Sequence, residues 1–176
     1  MTAPVRVCVV RHGETDWNQA GILQGWLDVP LNEQGRRQAR DLAAAYAGSG
    51  FSRVYASSLA RARETAEIIA AGLGLPSPLI HDGLKERNFG LIQGMPKAEL
   101  AESNPLLLQQ VLRRNPAAHF EEGETMDEVA TRVLDAVLDM AMDHPGETLL
   151  AVTHGWVMDV ITRHLGGLPR DAILSM

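Results

Sequence analysis

Two histidines of the chain sit in the same local frame, Val10-Arg11-His12-Gly13 near one end and Val152-Thr153-His154-Gly155 near the other. A neutral imidazole is a nucleophile, and an arginine beside it is a ready partner for an anion. One His-Gly closing an apolar run says little, since a strand can simply end in solvated polar residues. Two such ends brought side by side define a site. Arg61 adds a third element. It falls in the first turn of a predicted helix, where the macrodipole already places positive charge. Either it extends into water, or an anion sits between the helix end and the guanidinium. Two arginines, two histidines and the N-terminus of a helix starting at Gly155 make a cradle for a tetrahedral oxyanion. Phosphoryl transfer suits such a cradle, because positioning and charge stabilisation carry that reaction. The leaving alkoxide needs a proton. Glu86 lies directly after a third predicted strand, where partial burial would raise its pKa and let it act as the acid. The residues alone do not separate it from Glu14, Glu64, Glu122 or Glu124. No aspartate cluster or Walker loop offers a magnesium site, and the histidines match an anion better than zinc, so no metal is expected.

The elements that must position these groups alternate. The β-branched run over 5–10 predicts a buried strand that delivers Arg11 and His12 to its C-terminal end, the edge of an open α/β sheet where ligands bind. A polar loop punctuated by Gly21, Gly25, Asp28 and Pro30 follows. Asn32 predicts the N-cap of a helix running to about Gly48, with Ala39, Leu42, Ala43 and Tyr46 inward. Residues 53–56 read as a short buried strand. Ser57 or Ser58 then caps a helix with Leu59, Ala62, Ala66, Ile69 and Leu73 at helical spacing, ended by Gly72 and Gly74. A third strand is predicted over 78–80. The segment 85–120 is irregular apart from one predicted helix over 105–114, and 87–122 reads as a lid or specificity insert. Thr125 and Glu128 form a capping box that opens the longest helix, with Val129, Val133, Val137 and Met140 inward as far as about Asp143. A strand over 148–152 and a last helix, with Val157, Val160, Ile161 and Leu165 inward before Gly166-Gly167, complete the pattern. This alternation predicts an α/β fold: one domain over 1–176, three layers, with a mainly parallel sheet flanked by helices.

Composition bounds the function. Charged residues make up 22% and hydrophobic ones 45% of the 176 residues, the balance of one globular domain rather than a disordered chain. A formal charge of −6 argues against a nucleic-acid partner, which calls for a basic surface. It leaves room for a local positive pocket holding one small phosphorylated substrate. The lone Cys8 forms no internal disulfide, reads as a small buried hydrophobe and fits a reducing cytoplasm. With no signal peptide and no apolar stretch of spanning length, a cytoplasmic location without a membrane partner is expected. Trp17, Trp26 and Trp156 flank the motifs, and packing against the core is their plainer reading. Arg113-Arg114 and Glu121-Glu122 read as solvated faces, either able to meet a charged substrate tail. Met126, Met140 and Met142 fit helix packing.

Arg11-His12-Gly13-Glu14-Thr15 with Asn18 resembles the signature of the histidine phosphatase superfamily, which includes the cofactor-dependent phosphoglycerate mutases. The likeness continues through Gln24-Gly25-Trp26-Leu27-Asp28, then Ser57-Ser58-Leu59-Ala60-Arg61, Glu86-Arg87-Asn88-Phe89-Gly90, Gly123-Glu124-Thr125 and Thr153-His154-Gly155. It implies a phosphoglycerate mutase-like fold with His12 as the nucleophile that becomes phosphohistidine. It assigns Arg11, Arg61 and His154 to the phosphoryl oxygens, with Asn18 assisting and Gln24, Gly25 and Gly155 in the binding site. It makes Glu86 the acid and then the base, and implies that a backbone carbonyl fixes the tautomer of His12. Members usually continue after the last helix into at least one further strand. Here the sequence stops at Met176, so one or more C-terminal strands are expected to be missing and a sheet edge exposed.

The preferred reading is a metal-independent phosphomonoesterase of the histidine acid phosphatase type. The runner-up is a phosphoglycerate mutase, for which 2,3-bisphosphoglycerate would be the priming cofactor; the phosphatase needs none. Mutases resembling this family carry a longer insert, and the shorter lid over 87–122 admits water and favours hydrolysis. A catalytically silent phosphate-binding protein on this fold would be expected to have lost His12, Arg61, Glu86 or His154. The expected partners are one small phosphorylated metabolite and, in a homodimer, a second copy of the chain.

Overall fold

Four strands build the sheet of the computed structural model, which describes residues 3–174: β1 (Arg6–Arg11), β2 (Arg53–Ala56), β3 (Leu79–Ile80) and β4 (Thr148–Thr153). They run parallel in the order β1-β4-β2-β3. Around them lie α1 (Asp16–Ala20), α2 (Glu33–Ala45), α3 (Ala60–Leu73), α4 (Lys97–Ser103), α5 (Pro105–Leu112), α6 (Met126–Asp143) and α7 (Gly155–Leu165).

Alternation along the strands makes the three layers. Val10, Val54, Ala56, Leu150 and Val152 face α3, where Ala62, Ala66 and Ile69 meet them. Tyr55, Leu149 and Ala151 point the other way, onto Ala136 and Met140 of α6. A third apolar cluster joins α6 and α7 to the insert through Val129, Val133, Val157, Leu100 and Phe120. Val129, Val133 and Val157 are fully buried, each worth about 1.5–3 kcal/mol of apolar transfer. β1 is an edge strand, so Val7, Cys8 and Val9 are half-buried and not buried as expected.

Helix starts follow the caps except at one place. Asn32 accepts from Gly35 N at 2.8 Å to open α2, and the Thr125–Glu128 capping box opens α6. α3 does not start on Ser57 or Ser58. Its N-cap is Leu59, and Asp28, from the preceding loop, accepts from Ala60 N at 2.6 Å. A cap supplied from 32 positions away in sequence leaves no local signal. Gly72 lies inside α3, which ends on Gly74 in the left-handed conformation. Leu165, expected inward, is 80% exposed at the end of α7, and Met142 is likewise exposed on α6. The short helices α1 and α4 stand where loop is expected. No helix among the described residues is long and apolar enough to cross a membrane.

Candidate active site

Parallel register brings the three chemical strand ends to one edge. Arg11 pairs with Thr153 across β1 and β4, and His12 N donates to Thr153 O at 3.0 Å. Ser57, directly after β2, donates from its N to Val152 O at 3.1 Å. The His12 and His154 ring centroids are 5.1 Å apart. Gly13 lets the loop pass close to the start of α2, where an added Cβ would lie 2.5 Å from Gly35 O.

His12 is 8% exposed and fixed in one tautomer. Its Nδ1–H donates to Gly13 O at 2.7 Å, which leaves the Nε2 lone pair outward. Arg61 Nε donates to that Nε2 at 3.3 Å. Burial first, then the Arg61 charge, lowers the His12 pKa from 6.5 to about 3, against the opposing Gly13 bond. The ring is therefore neutral.

Arg61 does not extend into water; it is 1% exposed. Its Nη2 donates to Gly25 O at 2.7 Å and its Nη1 to Leu27 O at 3.0 Å, so the loop before α2 fixes the guanidinium. Burial lowers its pKa to about 10, which leaves it a cation. His154 is fully buried beside His12 and is not part of the cavity wall. Its Nε2 meets Ser57 Oγ at 2.9 Å, while its Nδ1 is buried without a partner among the described residues. Burial, then Arg61, holds it well below the usual imidazole range.

Glu86 separates itself from the other glutamates by position. Its Oε1 accepts from Arg87 N at 2.9 Å and from Trp156 N, in the first turn of α7, at 3.2 Å. Desolvation raises its pKa despite those bonds and the Arg61 and Arg11 charges. Glu86 lines the cavity with His12. Glu64 is tied to Arg36 and Glu124 to Arg132, Glu14 accepts from Asn32 Nδ2, and Glu122 is exposed. Arg132 of α6 clamps the Glu86 loop, donating to the carbonyls of Gly83, Lys85 and Glu86 at 2.9, 2.7 and 2.8 Å.

The cavity has a volume of about 240 Å³, and Arg11, Asn18, Gln24, Gly25, Arg61 and Gly155 stand in its wall. Thr15 donates to the Asn18 and Gln24 side-chain oxygens, so their amide NH₂ groups remain as donors. Sequence reasoning misses Lys97, which lines the cavity together with Arg114, a residue read as a solvated face able to meet a charged substrate tail. Arg113 and Glu121 are exposed as expected. Trp156 does both things weighed for it, packing edge-on to Phe120 and lining the cavity. Trp26 is a surface residue whose Nε1 donates to Glu86 O at 2.6 Å.

Comparison with known proteins agrees with this geometry. Residues 7–176 match the family model of the histidine phosphatase superfamily (branch 1). Over 171 residues the chain is 34% identical to a Cronobacter sakazakii protein named probable phosphoglycerate mutase GpmB, covering 96% of this chain and 78% of that protein. Bacillus stearothermophilus YhfR superposes with a TM-score of 0.89 at 32% identity, over 98% of this chain and 85% of that one. A mycobacterial glucosyl-3-phosphoglycerate phosphatase in complex with VO3 superposes at 0.84 with 28% identity, over 93% and 82% of the two chains. With its motifs, its sheet and its match over residues 7–176, the chain belongs to the histidine phosphatase superfamily (branch 1).

Proposed function

We propose that this protein is a phosphatase that hydrolyses small phosphomonoesters through a phosphohistidine on His12. The observation that carries the reading is the neutral His12 ring, tied through Nδ1 to Gly13 O with Nε2 at a cavity that also holds Arg11, Arg61 and Glu86. Nε2 attacks phosphorus in line as the bond from phosphorus to the alcohol oxygen breaks. Glu86, whose pKa burial raises, gives its proton to the leaving alkoxide. Arg11, Arg61 and the N-terminus of α7 balance the charge on the phosphoryl oxygens. Ser57 Oγ accepts from Leu59 N and shares a hydrogen bond of 2.9 Å with His154 Nε2, which steadies the second imidazole beside His12. In the second step the Glu86 carboxylate takes a proton from water, the water attacks phosphorus, the N–P bond breaks and inorganic phosphate leaves. Neither step draws on a metal or an organic cofactor.

The naming of a neighbouring fold as a glucosyl-3-phosphoglycerate phosphatase supports hydrolysis. The naming of the curated relatives as probable phosphoglycerate mutases favours a second reading, in which the phosphoryl group returns to another hydroxyl of a bound glycerate after priming by 2,3-bisphosphoglycerate. One assay decides between them. Incubation with 3-phosphoglycerate, followed for both free phosphate and 2-phosphoglycerate, is expected to give phosphate without isomer. Isomer formed faster than phosphate would make the protein a mutase.

A further inference from the structure

Glu86 and Arg61 reach the cavity from elements that no strand register ties together. Arg61 belongs to α3, and Glu86 to the segment between β3 and α4. Their separation decides whether a carboxyl reaches the oxygen that leaves a phosphoryl group held by the guanidinium. One loop, over 24–28, touches both.

Consecutive residues of that loop face opposite ways. The carbonyls of Gly25 and Leu27 accept from Arg61 Nη2 and Nη1 at 2.7 and 3.0 Å. Trp26, between them, does not stand in the cavity wall; its side chain lies on the Glu86 segment. The indole Nε1 donates to Glu86 O at 2.6 Å, and Lys85 Nζ stands 4.9 Å from the ring centroid. Arg132 Nη2 donates to the same carbonyl at 2.8 Å. Both lone pairs of Glu86 O are therefore taken, one from α6 and one from the loop that holds Arg61. The backbone of Trp26 is fixed as well, since its N donates to Gln93 Oε1 at 2.7 Å. Gly25, at a φ of 52°, brings the loop so close to Gln93 that an added Cβ would collide with that side chain. A half-exposed indole needs no such set of partners for packing alone. Here they lie in the segment that carries Glu86 and in the start of the insert.

We propose that Trp26 is a positioning residue for the general acid: its indole N–H fixes the Glu86 backbone against the loop that holds Arg61, and so sets the reach of the carboxyl to the leaving oxygen. The inference rests on the reading of Glu86 as the acid of phosphomonoester hydrolysis. Without the indole, Arg132 alone keeps the segment in the fold, and the carboxyl loses its fixed distance from the phosphoryl site. Substrates then suffer in proportion to their need for a proton. An alkyl phosphate has a strongly basic leaving oxygen, whereas p-nitrophenolate leaves without help.

Rapid-quench measurement of phosphoenzyme formation tests this in Trp26→Phe, which keeps an aromatic ring beside Lys85 and removes the N–H. Formation from propyl phosphate is expected to slow roughly tenfold, the scale of one hydrogen bond. Formation from p-nitrophenyl phosphate, and inhibition by inorganic phosphate, are expected to change by no more than about twofold. In a Glu86→Gln background, adding Trp26→Phe is expected to slow propyl phosphate by no more than about a further twofold, because the indole acts only through the acid. Equal losses on both substrates, weakened phosphate inhibition, or full additivity in the double variant would overturn the proposal and leave Trp26 a support of the loop. Glu86→Gln alone separates the two failures. A selective loss on propyl phosphate there, with none in Trp26→Phe, overturns the positioning role and upholds the acid. Equal losses of Glu86→Gln on both substrates overturn the acid reading and the proposal with it.

Discussion

Burial and the neighbouring Arg61 hold His12 neutral down to about pH 3, whereas the unfolded chain binds its proton below about 6.5. The unfolded state is therefore favoured as pH falls. The stability tied to a neutral His12 is complete above 6.5 and is lost progressively toward about 3. His154, lowered for the same first reason, adds in the same direction. Glu86 works oppositely, since its folded form keeps a proton that the unfolded chain releases above 4.5, and stability falls as pH climbs through that window. His12→Gln is expected to flatten the acid-side loss. Denaturant titrations should show the variant gaining on the wild type steadily from about pH 6.5 to about pH 4. A difference independent of pH would mean that His12 is not held neutral. The proposed mechanism gives Glu86 two separable roles. Glu86→Gln should slow phosphoenzyme formation from an alkyl phosphate by roughly 10²–10⁴-fold, because the departing alkoxide is strongly basic. From p-nitrophenyl phosphate the first step should persist and the water step should stall. Rapid quench then shows a burst of about one equivalent of nitrophenolate before a slow steady state. Equal losses on both substrates, with no burst, would make Glu86 structural.

Two contacts between elements hold these residues in place. Asp28 caps α3 from the preceding loop and so sets where Arg61 sits, while Arg132 clamps the carbonyls around Glu86 and pairs with Glu124 at 2.7 Å. Asp28→Ala should cost about 0.5–2 kcal/mol, the scale of a lost helix cap. Arg132→Leu leaves Glu124 and three carbonyls short of a donor, and should cost more, about 3–5 kcal/mol. It should also lower kcat more than it raises KM, because the acid loses its placement while Arg11 and Arg61 still bind phosphate. A loss confined to KM would contradict the clamp. Neither contact is legible in the sequence. Arg11, His12 and His154 can be read there because each closes an apolar run, and Glu86 because it follows a short strand and sits in a family motif. Asp28, Arg132 and Trp26 act through space, the last on a residue 60 positions away. No periodicity marks such pairs. α1 and α4 escape for another reason, since five and seven residues are too few to show a helical period.

At the scale of the molecule, the sheet collects the ends of β1, β2 and β4 at one edge, and the insert closes over them. Arg87 secures both sides of that insert. It donates to Ala118 O at 2.6 Å and Glu124 O at 2.9 Å, with its guanidinium 4.4 Å from the Phe120 ring centroid. In the proposed reaction the strand ends and the α3 and α7 N-termini would hold the reacting phosphoryl group, and the insert would face the rest of the substrate. All of this rests on His12 taking the phosphoryl group covalently. Brief incubation with labelled p-nitrophenyl phosphate, quenched in base and mapped by mass spectrometry, tests that claim most directly. The account predicts a base-stable, acid-labile phosphoryl adduct on His12, absent in His12→Gln. An adduct on a serine or on Cys8, or full turnover with none on His12, would contradict it.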